Sequence, residues 1–276
     1  MTYEQFKNLK PGAFKRRCGV YPETFEQMTN VLRPYLDRRG KRGGQAKLRV
    51  EDQLILVLEY WREYRTQFHI ATSWGLSESA VCRLIQRVER LLMDSGQFRL
   101  PGKKQLYQNA YNWDVVVVDV TESPIERPKK KQRSYYSGKK KRHTLKAQVV
   151  VNQATGQILC TGFGKGRIHD FQLFKLCRTP MLPEQLCFAD RGYQGITKLH
   201  PNSCTPTKKP RKQKLDKHER QHNRVLARFR VVAEHLNRRL KIFRILAERY
   251  RNRRRRFGLR FNLIAAIINF ELALTS

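Results

Sequence analysis

Trp113-Asp-Val-Val-Val-Val-Asp-Val120 is the stretch on which the fold of this chain turns. Its four consecutive valines predict a strand, because β-branched side chains pack well on a pleated surface and fit helices less well. An unbroken apolar run, with no alternation, predicts a central strand covered on both faces. Such a strand delivers Asp119 at its C-terminal end, while Asp114, five positions earlier, alternates to the opposite face. A carboxylate at the tip of a central strand is a natural position for metal chemistry, although by itself it is more often a residue that merely starts a turn.

Downstream, His143–Val151 and Gln157–Phe163 read as antiparallel strands joined by a turn through Asn152–Gly156. His169–Cys177 reads as a helix, Leu186–Ala189 as a short buried strand ending in Asp190, and Cys204-Thr205 as another short strand. A long helix is expected from Asp216 to about Arg239, and a strongly apolar one from Gly258 to Ala273. This order is that of a ribonuclease-H-like α/β domain, in which the first and fourth strands are parallel neighbours. That arrangement places Asp119 beside Asp190, with Gly192 and Gly195 permitting a sharp turn just after it. On the long helix, Val225, Phe229, Val232, Leu236, Leu240 and Phe243 recur at helical spacing as a core stripe. Glu234 lies off that stripe, in line with Arg230 and Lys241, and is the candidate third acid; the competing reading is a surface ion pair with Arg230 or Arg238. Carboxylates gathered at one point repel one another unless a cation compensates, and oxygen-only ligands select hard ions such as Mg²⁺ or Mn²⁺.

Upstream, residues 1 to about 100 read as all-helical, with helices at Glu23–Leu36, Val50–Tyr64, Thr66–Trp74 and Glu78–Leu92. Gly75 supplies the positive φ of a tight turn, and Ser77 is the N-cap of the next helix. Ile70, Ala71, Leu76, Val81, Leu84 and Ile85 supply a small shared core. This is the helix-turn-helix pattern, whose second helix enters the major groove. Ser79, Arg83, Gln86 and Arg87 are its candidate contacts to phosphates and base edges. The polar stretch 101–112 reads as a linker, so the expected division is a helical domain at 1–100 and an α/β domain at 113–276.

Charge limits the partners. The 276 residues hold 57 Lys+Arg against 23 Asp+Glu, a net +34. Such a chain repels itself unless its partner is a polyanion, and phosphate neutralisation makes nucleic acid the first candidate, ahead of an anionic membrane. Basic runs at 129–133, Lys139–Arg142, 208–217 and 249–256 fit a tracked DNA backbone, with Lys139, Lys140, Lys141 and Arg142 as candidate DNA contacts. Tyr135 and Tyr136 could stack on an unpaired base; His143, His169 and Asp170 lie on segments expected near the acids. No apolar run of spanning length and no apolar leader are read in the sequence, which predicts a cytoplasmic protein. The six cysteines form no Cys-x-x-Cys clip and read as reduced thiols. A tyrosine recombinase is disfavoured, because the last tyrosine, Tyr250, sits inside a basic run.

Asp119 in Val-Asp-Val-Thr-Glu, Asp190 in Ala-Asp-Arg-Gly-Tyr, and Glu234 within Arg-x3-Glu-x6-Lys resemble the Asp-Asp-Glu set of bacterial insertion-sequence transposases. The family's usual tyrosine, three before the arginine, is Ala227 here. Thr121–Pro128, Tyr136–Lys146 and His169-Asp170-Phe171 are further similar to the insertion-sequence-five, Harbinger-like branch. The acids stand 71 and then 44 positions apart, and the resemblance covers nearly the whole chain. It implies binding of terminal inverted repeats on double-stranded DNA and a homo-oligomer on that DNA, near the bacterial nucleoid. It also implies cleavage and strand transfer dependent on Mg²⁺ or Mn²⁺, with Asp119, Asp190 and Glu234 as catalytic metal ligands and Arg230 and Lys241 on DNA. The alternatives are a non-catalytic DNA-binding regulator and a stand-alone nuclease of the same fold.

Overall fold

The computed structural model describes residues 2–37, 45–107, 113–209 and 214–275. Much of the basic, Gly-rich stretch before Gln45, part of the 101–112 stretch and part of the 208–217 run lie outside them. The chain divides into two compact units, one of Met1–Arg99, Leu240–Glu248 and Asn252–Ser276, the other of Leu100–Arg239 and Arg249–Arg251.

The first unit is helical: α1 (Pro11–Cys18), α2 (Pro22–Leu36), α3 (Val50–Arg62), α4 (Gln67–Trp74) and α5 (Glu78–Asp94). The expected turn is present. Gly75 closes α4 at φ 61°, and the Ser77 hydroxyl accepts from the Ala80 amide to cap α5. Thr66 caps α4 in the same way, through the His69 amide. Ile70, Ala71, Val81 and Ile85 are buried as expected, whereas Leu76 and Leu84 are half-buried. The sequence reading did not include α1, which starts on Pro11-Gly12 and ends at Gly19. There φ is 87° and an added Cβ would meet the Phe243 ring at 2.7 Å, so only glycine fits.

The C-terminal helix corrects two expectations. By length and composition residues 254–274 are apolar enough to cross a membrane, an 18-residue window within them averaging a hydropathy of 1.5, where no such stretch was expected. The expectation failed because Arg260, Asn262, Asn269 and Glu271 interrupt the run without lowering its mean far enough. This helix, α10 (Phe257–Thr275), packs against α2 and α5 and buries Phe261, Leu263, Ile264, Ala265 and Ile267. It also carries buried charges: Arg260 bonds Glu89 at 2.6 Å, and Glu271 pairs with Lys15 at 2.5 Å. It is thus a core helix of the first unit, although the sequence reading placed it in the α/β domain. An apolar stripe announces burial but not the partner that provides it.

The second unit is built on a mixed sheet of order β2-β3-β1-β5-β6, with β4 paired to β3. Its strands are β1 (Val115–Pro124), β2 (Tyr136–Ser137), β3 (Arg142–Asn152), β4 (Ile158–Lys165), β5 (Leu186–Ala189) and β6 (Ser203–Cys204). The helices are α6 (Gln132–Tyr135), α7 (Asp170–Cys177) and most of α8 (Lys217–Ile242); α9 (Arg244–Ala247) belongs to the first unit. β1 pairs antiparallel with β3 and parallel with β5, so the first and fourth long strands are the expected parallel neighbours.

The four valines divide by parity. Val116 and Val118 face the cluster that holds Phe174 of α7, while Val117 faces Leu226 and Ala233 of α8. Phe188 of β5 stacks on Phe229 of α8 with centroids 4.7 Å apart. The sheet is therefore covered on both faces, the condition the unbroken valine run predicted. The expected stripe holds at Phe229, Val232, Leu236, Leu240 and Phe243 and fails only at Val225, which is 39% exposed while Leu226 is buried. The stretch read as a linker begins inside this unit. Gly102 N–H donates to the Leu159 carbonyl, and Leu106 is wholly buried in the α7-side cluster.

Candidate active site

Strand register sets the site. The last parallel pair between β1 and β5 is Val118 with Ala189, so the next residues on the two strands are Asp119 and Asp190. Asp119 shares the parity of Val117, and Asp190 that of Phe188, which sends both toward the face covered by α8. Contrary to expectation, Asp119 is not at the C-terminal end of its own strand. β1 continues to Pro124 through its pairing with β3, and Asp119 stands where β5 stops.

Two residues of α8 meet these acids. The Arg230 guanidinium pairs with Asp190 Oδ1 at 3.1 Å. The Asn237 amide donates from Nδ2 to Asp119 Oδ2 at 2.7 Å. Burial pushes the Asp119 carboxyl above its ordinary range, and the negative charge of Asp190 adds to the rise. The Val120 amide, Arg230 and Asn237 oppose it without cancelling it.

Glu234 stands four residues after Arg230 and three before Asn237, on the same face of α8 by helical spacing. It is exposed, and Arg230 is engaged by Asp190. Among the described residues no three His, Cys, Asp or Glu side chains stand close enough to share an ion. The structure thus brings Asp119 and Asp190 together, and places Glu234 on the facing helix surface without bringing its carboxylate to them. Lys241, on the same line of α8, falls within the first unit.

The donor set fits a hard divalent cation. It consists of oxygens; one carboxylate is partly withdrawn from water beside a second; and Asn237 Oδ1 is buried with no hydrogen-bond partner. An amide carries no charge that marks it as a ligand, so residue type alone does not single out Asn237. Its spacing from Arg230 and Glu234 was the available signal.

Asp190 also lines an open cleft of about 750 Å³ in the second unit, with Lys139, Lys146, His169, Asp170 and Arg230. His169 and Asp170 therefore share a cleft with Asp190. Lys146 is nearly buried, bonds Asp170 Oδ1 at 2.6 Å and lies 3.8 Å from Glu122, which in turn accepts from the Thr144 hydroxyl. Lys139, Lys140, Lys141 and Arg142 are all exposed along the turn into β3.

In the first unit, the four candidate reading residues of α5 differ in availability. Ser79 and Arg83 are exposed. Gln86 is half-buried, accepting from Arg256 Nη2 at 2.9 Å and donating to Cys82 Sγ. Arg87 is exposed but donates to the Tyr35 carbonyl at 2.8 Å. Gln86 therefore serves the packing of α5 in this state, which its polar type alone did not reveal.

A helix-turn-helix followed by an α/β unit with paired strand carboxylates is the make-up of an enzyme that cuts DNA. Residues 118–275 match the family described as "DDE superfamily endonuclease", and residues 46–98 match "Helix-turn-helix of DDE superfamily endonuclease". The chain belongs to the DDE superfamily endonucleases. It is 54% identical over 274 residues, 99% of each chain, to the "Probable transposase for insertion sequence element IS702" of Microchaete diplosiphon. It is 26% identical over 225 residues, 81% of each chain, to the "Putative transposase for insertion sequence element IS112" of Streptomyces albus G. No solved structure gives a significant match.

Proposed function

We propose that this protein is the DNA transposase of an insertion sequence: it binds the element's terminal inverted repeats, cuts at them and joins the freed ends to target DNA. The observation that carries this reading is the adjacency of Asp119 and Asp190 on parallel strands beneath the Arg230–Asn237 face of α8. The relatives named as transposases, matched along the whole chain in one case, support it. We assign the catalytic unit to the ribonuclease-H-like class, on its order of strands and helices and its parallel β1–β5 pair. The motifs at Thr121–Pro128, Tyr136–Lys146 and His169–Phe171 favour the insertion-sequence-five, Harbinger-like branch.

In this reading Asp119, Asp190 and Glu234 hold one or two Mg²⁺ or Mn²⁺ ions, which supply activation of the attacking oxygen and charge stabilisation at phosphorus. The protein supplies the rest. Asn237 fixes the Asp119 carboxylate, Arg230 fixes that of Asp190, and rotation of the exposed Glu234 side chain brings in the third acid. Lys139–Arg142 track the phosphate backbone, Arg230 and Lys241 contribute further positive charge on α8, and α5 reads the repeat through Ser79 and Arg83, with Gln86 and Arg87 beside them. The protein acts as a homo-oligomer in the bacterial cytoplasm.

The test is incubation of the protein with a labelled element end and Mg²⁺, resolved on a denaturing gel. Cleavage at the end followed by a joined product supports the reading. Cleavage without joining makes the protein a nuclease, and binding with neither makes it a regulator.

A further inference from the structure

Beside the cleft that contains Asp190 lies a second recess of about 540 Å³. It is lined by Arg127, Gln132, Arg133, Tyr136, Gly138, His143 and Arg167, three guanidiniums and two ring side chains with no carboxylate among them. Gly138 and Arg167 line the Asp190 cleft as well, so the two recesses adjoin. Tyr136 is 42% exposed and makes a T-shaped contact with the His143 ring at 5.7 Å, which orients the phenol while much of it stays accessible. Gln132 accepts from Arg127 Nε at 2.9 Å and so orients that guanidinium. The neighbouring Tyr135 is engaged differently, under the Lys165 ammonium at 5.5 Å. Of the two tyrosines, therefore, Tyr136 is the one available to a ligand.

We infer that this recess is a binding site for an unpaired nucleotide of the DNA strand that occupies the adjoining cleft. The base stacks on Tyr136, and Arg127, Arg133 and Arg167 take its flanking phosphates. The chemistry selects this ligand. Guanidiniums with no carboxylate in the lining call for phosphate, and an exposed aromatic ring among them calls for a planar ring. A recess of this volume is in the range that takes a small-molecule-sized group. A duplex cannot present a base face to a side wall, so the site requires an unstacked nucleotide. The inference rests on the proposed DNA-cutting function for its strand, but not on the three acids.

The test uses the full-length protein in EDTA, where no cleavage occurs, and two fluorescein-labelled probes of equal length. One is a homothymidine strand; the other is an abasic strand with the same phosphates and no bases. Salt is raised until general phosphate binding is weak. The wild type is expected to prefer the thymidine strand by roughly fivefold to a hundredfold, the range for stacking of a single base. Tyr136→Ala is expected to abolish that preference while binding the abasic strand as before. Tyr136→Phe, which keeps the ring, is expected to retain it. Arg133→Ala is expected to weaken both probes alike. A wild type indifferent to the bases, or a Tyr136→Ala protein that still discriminates, overturns the inference. Because no metal is present, neither result depends on whether the protein cuts DNA. Failure of the cleavage assay likewise leaves this one readable.

Discussion

Asp119 is the residue with the clearest conflict between fold and chemistry. Its carboxyl is held above the ordinary range chiefly by burial. Its ionised form therefore opposes folding: the cost is absent below the unfolded pKa and fully present above the folded one. Asp119→Asn is accordingly expected to melt, in EDTA at neutral pH, no lower than the wild type and up to a few degrees higher. The difference should close as the pH falls toward the carboxylate range. A melt several degrees lower would mean that the charge stabilises the fold. Glu234→Gln separates catalysis from binding: it removes one negative charge from a chain of net +34. End binding by mobility shift should be unchanged or slightly tighter, whereas strand cleavage should fall on the order of a thousandfold if the ion is lost. Retained cleavage would remove Glu234 from the site. The adjacency of Asp119 and Asp190 was legible because alternation and strand order are backbone properties. Asn237 was not, since an amide two turns from Arg230 has no signature until its partner is known.

At the level of elements, the second helix of the helix-turn-helix, α5, is held by a charge that water does not reach. Glu89 is wholly buried, bonded by Arg260 at 2.6 Å and by Arg256 at 3.0 Å, with Trp61 Nε1 at 3.4 Å. Removing one partner of such a group leaves the other buried and unpaired. Glu89→Ala is therefore expected to cost about 3–5 kcal/mol in urea unfolding, far more than an exposed pair contributes. A loss under about 1 kcal/mol would show that water enters and screens the arginines. The helices flanking Gly75 were legible to within two residues, because Thr66, Gly75 and Ser77 are local signals. β1 was read too short for the opposite reason. Its extension through Glu122 and Pro124 comes from β3 across the sheet, not from its own composition.

For the whole molecule, charge governs binding and chain order governs folding. With contacts to six to ten phosphates, DNA affinity should fall by about a thousandfold to a hundred-thousandfold between about 50 and 200 mM salt. A flat salt profile in a titration would exclude the basic runs as the main contact. Which helices share a unit was the least legible property of the chain, for α10 could have covered any apolar surface. The outcome has a consequence for synthesis. The unit that contains the helix-turn-helix is assembled from the first and last parts of the chain, and Glu89 meets Arg256 and Arg260 only when the start of α10 exists. A ribosome that stops anywhere short of α10 therefore releases a chain whose DNA-reading unit lacks its core helix. Interrupted translation yields fragments poorly suited to occupy the element's ends in competition with the finished protein.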